Sequence, residues 1–329
     1  MRTFGRWIGR LFLLLVLAVG GLWLFGPREP VDLDVIFEAE LSPETLDAYF
    51  AEHEAQYSDI VPGTERRVVW AGEAGAKTDV TVLYVHGFSA TSEEIRPVPD
   101  RVAEALGANL IYARLSGHGR SGEAMAEPEA RDWMYDTLEA LEAARTIGSR
   151  VIVMSTSTGG TLMAAAALRA DAMENVAGLV FVSPNFAINS PASVILTWPA
   201  VEWWGPLVAG AERSFETLNE GHAAYWTNSY PTVALMPMAA LVKHVDALNM
   251  DAAQVPALFM FSEEDQVVSP QKTREVAGEW GGASELAVLS MGPEDDPYSH
   301  VIAGDILSPG QTEAAAQRMI TWAQAVLAE

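Results

Sequence analysis

The chain has 329 residues, half of them apolar, with 44 acidic against 20 basic side chains and a formal charge of −24. So acidic a surface repels phosphate backbones, which argues against nucleic-acid binding. The absence of cysteine removes disulfides, thiolate nucleophiles and Cys-ligated metals, and the six histidines form no short-range metal-binding pattern, so neither a metal nor a cofactor is expected.

The first thirty residues differ in kind from the rest. Arg2, Arg6 and Arg10 precede an uncharged run, 11–25, of Leu, Phe, Val, Ala, Gly and Trp. A basic head before an apolar run sets the N-terminus on the cytoplasmic side of a membrane. The run is slightly short of the roughly 20 residues that span a bilayer. Trp7 and Ile8, with Arg10 snorkelling to the headgroups, extend it. An uncleaved signal anchor is favoured over a cleaved signal peptide, because apolar residues continue past the weak cleavage site at Ala18-Val19-Gly20. This reading makes residues 1–30 a single-pass membrane anchor. The rest of the chain then lies on the periplasmic or extracytoplasmic side.

Gly26-Pro27-Arg28-Glu29-Pro30 breaks the apolar helix. Residues 31–65 read as a helical linker, with Ser42 as cap, Pro43 at the first helical position and a helix to about Gln56. From residue 66 onward short apolar runs alternate with helical patterns. Strands are expected at 67–70, 80–85, 109–113, 150–154, 178–183, 257–262 and 285–289, and several are apolar throughout, as parallel strands buried on both faces are. Helices are expected at 93–106, 133–147, 160–170, 271–279 and 312–327, with Gly107 and Gly148 placed as C-caps. Such alternation describes a mostly parallel, doubly wound α/β sheet. Between about 185 and 250 no strand is evident, and Trp198, Trp203, Trp204 and Trp226 fall there. This stretch is expected to form a helical cap inserted over the sheet, with Trp203 and Trp204 contacting an apolar substrate, although tryptophans that simply pack the cap on the sheet would leave the same pattern.

The chemistry centres on strand 150–154, followed by Ser155-Thr156-Ser157-Thr158-Gly159-Gly160 and an Ala-rich helix. A serine on a tight strand-to-helix turn needs small residues two before and two after it. Ser155 and Gly159 satisfy that for Ser157, whereas a nucleophile at Ser155 would place bulky Val153 in the turn. The Ser157 hydroxyl would then stand at a helix N-terminus. An oxyanion hole requires two backbone N–H groups, for which Thr158 and Phe88, in the loop after strand 80–85, are the candidates. Downstream, Asp265 lies in the exit loop of strand 257–262, and His300 follows the last strand. Glu263 and Glu264 are expected to face solvent. Ser157, Asp265 and His300 thus form a candidate triad in the chain order that this arrangement uses.

With these residues in view, the chain from about residue 66 to the C-terminus resembles α/β-hydrolases of the monoacylglycerol-lipase and carboxylesterase type. The resemblance rests on Val85-His86-Gly87-Phe88, Ser116-Gly117-His118-Gly119-Arg120-Ser121-Gly122, the elbow at 155–160, Asp265 and His300. Ser116 replaces the usual Arg of the second motif, and Ser155 the usual Gly of the elbow. The resemblance implies an α/β-hydrolase domain over 66–329 and a serine hydrolase cleaving carboxylic esters, of apolar or monoacyl lipid type, through an acyl-enzyme on Ser157. His86 and His118 are read as loop-shaping residues. Amide, peptide or thioester hydrolysis on the same triad, or a non-catalytic binding role, stays open.

Overall fold

The apolar runs read as strands all enter one sheet. In the computed structural model, which describes residues 2–328, the strands are β1 (Arg67–Val69), β2 (Thr78–Val85), β3 (Asn109–Tyr112), β4 (Gly148–Thr156), β5 (Val176–Val182), β6 (Glu212–Ser214), β7 (Ser229–Pro231), β8 (Ala257–Phe261) and β9 (Ser284–Val288). Seven of them form the main sheet in the order β1-β3-β2-β4-β5-β8-β9, parallel except for β1, which runs antiparallel to β3. The helices are α1 (Arg2–Phe25), α2 (Leu46–Glu54), α3 (Val98–Leu106), α4 (Ala130–Ile147), α5 (Thr158–Ala166), α6 (Val201–Ala209), α7 (Glu220–Tyr225), α8 (Leu235–Asp246), α9 (Pro270–Glu279) and α10 (Thr312–Ala328).

Alternate side chains of a strand point to opposite faces, so a strand covered on both faces must be apolar throughout. In β4, Val151 and Val153 join the core under α2, α4, α5, α8 and α9, while Ile152 and Met154 join the core under α3 and α10. β2 divides likewise, Leu83 and Val85 to one side and Val82 and Tyr84 to the other. The sheet is therefore the middle of three layers, and the loops at the C-terminal ends of β2, β4 and β8 converge at its centre.

Several local expectations are corrected. The helix expected from residue 93 starts at Val98, with Pro97 at the cap position and Pro99 in its first turn, where a missing N–H costs no helical hydrogen bond. Gly107 and Gly148 do hold the C-cap positions of α3 and α4; Gly107 is left-handed, with φ 59°, whereas Gly148 is extended and also begins β4, where a β-carbon would strike Thr81. The helix expected from Pro43 starts at Leu46, with Thr45 at the cap position, and Ser42 Oγ bonds the Thr45 hydroxyl instead.

Residues 31–65 are irregular apart from α2 and lie against the main core. Val35 is buried, and Val31, Leu33, Phe37 and Leu41 pack beside it. Arg169 donates to the Leu33 and Val35 carbonyls at 3.1 and 2.8 Å. From α2, Leu46 and Phe50 enter the core, and Glu54 binds both Arg66 at 2.5 Å and Arg114 at 2.7 Å. Arg66 also pairs with Glu139 of α4, whose other oxygen accepts the Tyr49 hydroxyl at 2.7 Å.

The segment between β5 and β8 divides in two. Helix α8 sends Met238, Leu241, Val242 and Val245 into the main core. Ahead of it lie a 3-10 turn at Pro191–Thr197, α6, α7 and a two-stranded antiparallel ribbon of β6 and β7 that the sequence pattern did not disclose. Arg6–Phe25 within α1 is one helix long and apolar enough to cross a membrane, by length and composition, and it is unburied in this chain.

Candidate active site

Between the last residue of β4, Thr156, and the first of α5, Thr158, the chain turns at Ser157 with φ 51° and ψ −116°. A non-glycine residue in this region carries strain on the order of 1–3 kcal/mol, which its surroundings must hold. The Ser157 N–H donates to the Val182 carbonyl at 3.0 Å, and its own carbonyl accepts from Asn185 N–H at 3.0 Å. The small-residue rule of the elbow has a spatial cause here. A β-carbon on Gly159 would collide with the Val85 and His86 carbonyls, and one on Gly160 would lie 2.8 Å from Pro184 Cβ.

The three expected side chains meet. His300 Nε2 lies 3.1 Å from Ser157 Oγ, and His300 Nδ1 lies 2.9 Å from Asp265 Oδ2. Asp265 is buried, and its Oδ1 accepts the Val267 and Val268 N–H groups at 2.8 and 2.9 Å, while Glu263 and Glu264 are exposed. With Asp265 as acceptor, Nδ1 carries the proton and Nε2 is left to accept from Ser157. Burial disfavours the charged imidazole, but the surrounding carboxyl groups, Asp265 foremost, together outweigh it and hold the His300 pKa above its usual 6.5.

Sequence reasoning missed the residue that places His300. Asp296, buried, accepts the Tyr298 N–H on one oxygen at 3.0 Å, and on the other the His300 and Val301 N–H groups at 3.0 and 2.9 Å. An acid two to five residues before those amides is the one signal that could have found it.

On the other side of Ser157 stands the loop 86–92. His86 is buried; Leu115 N–H donates to its Nε2 at 3.1 Å, so its Nδ1–H donates to the Gly87 carbonyl at 2.8 Å. His118 Nδ1–H donates to Ser116 O at 3.0 Å, and burial lowers its pKa to about 4. Burial lowers that of His86 still more plainly, so both rings are neutral braces of the loop. The Phe88 ring meets Tyr230 of the β6–β7 ribbon at 5.4 Å and His118 at 5.6 Å. Among the described residues no acceptor is found for the Phe88 or Thr158 N–H. Nor do the described residues hold a group of three or more side chains that could hold a metal.

The cap tryptophans take different places. Trp226 is buried, and the next residue, Thr227, donates its N–H to Ser89 O at 2.7 Å. Trp204 is half-buried and donates to Pro199 O at 3.0 Å. Trp203 is 64% exposed on α6, beside Leu207 and Val208 at 85% and 77%. Neither Trp203 nor Trp204 touches the three residues at the elbow through any described hydrogen bond or ring contact.

The family profile of the serine aminopeptidases, S33, matches residues 76–290, from β2 past β9. The chain belongs to this family. It is thereby an α/β-hydrolase related to the lipases and esterases, and its activity is that of a serine hydrolase of esterase and lipase type acting on carboxylic esters. A thermostable monoacylglycerol lipase from Bacillus sp. (strain H-257) is 30% identical over 192 residues, 58% of this chain and 72% of that enzyme. Among solved structures, one of the metagenome-derived lipolytic enzymes LipS and LipT has a TM-score of 0.64 at 22% identity, covering 81% of this chain and 99% of that one. The monoacylglycerol lipase of Paleococcus ferrophilus has a TM-score of 0.59 at 14% identity, covering 79% and 98%. At such identities these structures establish the fold alone.

Proposed function

We propose that this hydrolase cleaves apolar or monoacyl lipid esters at a membrane surface through an acyl-enzyme on Ser157. The observation that carries the reading is the unbroken hydrogen-bond line from Ser157 Oγ through the His300 ring to Asp265, with distances of 3.1 and 2.9 Å. In this mechanism His300 Nε2 takes the Ser157 proton as Oγ attacks the acyl carbonyl. Asp265 holds the imidazole in the required tautomer and stabilises its charged form. The Phe88 and Thr158 N–H groups receive the developing oxyanion, aided by the N-terminus of α5. Protonated His300 then gives its proton to the leaving alcohol. In the second half, water attacks the acyl-enzyme with the same histidine as base.

The preference for lipid esters is supported by the curated relative, a monoacylglycerol lipase, and by the apolar surface of the cap. Domain organisation follows the same reading: residues 1–30 anchor the chain, 31–65 join anchor to core, and 66–329 form the hydrolase domain with a cap inserted at about 185–250. Trp203 and Trp204 would meet the acyl chain as it leaves the lipid. A series of p-nitrophenyl esters of increasing chain length, compared with a matching amide, tests this. Turnover rising with acyl length and negligible on the amide is expected. Preference for the amide would instead favour peptidase chemistry, which the family's description also permits.

A further inference from the structure

Glu94 is 2% exposed and carries no part in the proton relay of Ser157, His300 and Asp265. Its Oε2 accepts two hydrogen bonds, from Gly87 N–H at 2.7 Å and from the Tyr84 hydroxyl at 3.0 Å. Tyr84 spends its one proton on Glu94, so the Thr156 hydroxyl, 3.0 Å away, donates to the Tyr84 oxygen. A chain of three side chains therefore runs from Thr156, the neighbour of Ser157, to Gly87, the neighbour of Phe88. The other oxygen, Oε1, lies near the Ser157 side chain: a β-carbon placed on Gly87 would lie 2.8 Å from Glu94 Oε1 and 2.9 Å from Ser157 Cβ, so the two flank Gly87 with no room for a methyl group between them.

We propose that Glu94 is a positioning residue of the oxyanion hole, which ties the Phe88 loop to the Ser157 elbow and acts with Oε1 protonated. The inference rests on the reading of Ser157 as nucleophile and Phe88 as oxyanion donor. Oε2 is fully engaged as an acceptor, which leaves the proton to Oε1. There it presents an O–H dipole, and no negative charge, beside the site where negative charge develops. An ionised Glu94 would oppose that charge. The titratable groups facing it are Tyr84 on β2 and His300 on the loop after β9. Burial raises the Glu94 pKa to about 7, against the Gly87 N–H, the charge of His300 and the Tyr84 hydroxyl, all of which favour the anion. Tyr84 itself, buried, is held well above its usual pKa and remains a donor. The sign follows: the competent form is present at low pH and is lost as pH rises through the Glu94 pKa.

The test uses the full-length protein in detergent, with kcat and KM for p-nitrophenyl butyrate measured from pH 5 to 9.5. Glu94→Ala is expected to lower kcat by about 10²-fold, the loss typical of a disrupted oxyanion hole, with KM little changed. In Glu94→Gln the amide oxygen keeps both acceptor bonds and the NH₂ replaces the Oε1 hydroxyl. This variant is expected to recover most of the loss and to lack the alkaline fall in kcat/KM expected of the wild type around pH 7. A wild-type kcat in Glu94→Ala, or an alkaline limb shared by the wild type and Glu94→Gln, overturns the proposal. Should Glu94→Ala not fold, as circular dichroism would show, the Glu94→Gln profile decides. Ser157→Ala, run in parallel, separates the two levels. If it stays active the nucleophile assignment fails, whereas if it is inactive while both Glu94 variants behave as wild type, only the role of Glu94 fails.

Discussion

The indole of Trp23, in the last turn of α1, meets the indole of Trp198 edge to face, with ring centroids 5.4 Å apart. Two residues after Trp198, the Ala200 N–H donates to the Pro27 carbonyl at 2.5 Å, and Pro199 lies against Gly26. The end of the apolar helix is thus joined to the start of α6. Trp203, Leu207 and Val208 of α6 are exposed, as are the apolar side chains of α1. In the proposed reading, a bilayer that takes in α1 also meets the cap.

That arrangement bears on topology. With Arg2, Arg6 and Arg10 on the cytoplasmic side, a C-terminal alkaline phosphatase fusion should be active in bacterial cells and a cytoplasm-only reporter silent. The reverse pattern would refute the orientation.

The cap tryptophans should behave differently from one another. Trp203→Ser together with Leu207→Ser removes exposed side chains, so stability should change by no more than about 0.5 kcal/mol. Activity on long-chain monoacyl esters in vesicles should fall severalfold, while p-nitrophenyl acetate turnover is spared. Trp204→Ser removes an acyl contact and also empties a half-packed position beside Trp198, so it should lower the melting temperature as well as long-chain activity. Equal loss on both substrates from the Trp203 and Leu207 changes would mean the cap is not an acyl port.

At the elbow, Ser157→Ala should abolish labelling by a fluorophosphonate and lower kcat by about 10⁴–10⁶-fold. Asp265→Asn should cost about 10⁴-fold in kcat with the fold intact. Because Asp265 raises the His300 pKa and the base must be neutral, activity is lost as pH falls through that pKa. The acid limb of the residual activity in Asp265→Asn should accordingly move to lower pH. A severe Glu264→Gln beside a mild Asp265→Asn would show that the acid has been misassigned.

The buried charges between α2 and the core give a stability test. Arg66 touches Glu54, Asp136 and Glu139, and these attractions outweigh its burial to keep it firmly charged. Arg66→Met leaves three carboxyls without that partner, so unfolding in urea should show a loss of about 3–5 kcal/mol. A change below about 1 kcal/mol would mean that α2 is held by Leu46 and Phe50 alone.

The strand order of the chemistry was legible because it depends on local pattern. Runs such as Val151–Met154 are apolar at every position because both faces of β4 are covered, and the small residues around Ser157 mark a turn too tight for side chains. Asp265 was legible from its place in the exit loop of strand 257–262, where the Val267 and Val268 N–H groups hold the carboxylate. Asp296 and Glu94 were not legible in this way: one acid among 44 differs from the rest only by what surrounds it after folding. The same holds for Trp203 and Trp226, which share a side chain but lie on opposite sides of the cap surface.

The sequence by itself determined the layered α/β architecture, the frame of the elbow, and the chain order of the candidate residues Ser157, Asp265 and His300, since periodicity, turn sterics and motif spacing are properties of neighbours in the chain. Only the tertiary structure decided that α8 belongs to the core and residues 31–65 pack against it, that α1 abuts the cap, and that Asp296 and Glu94 brace the two sides of the site. Those are contacts between segments distant in sequence, and their energies come from burial and from hydrogen bonds that exist only once the segments meet.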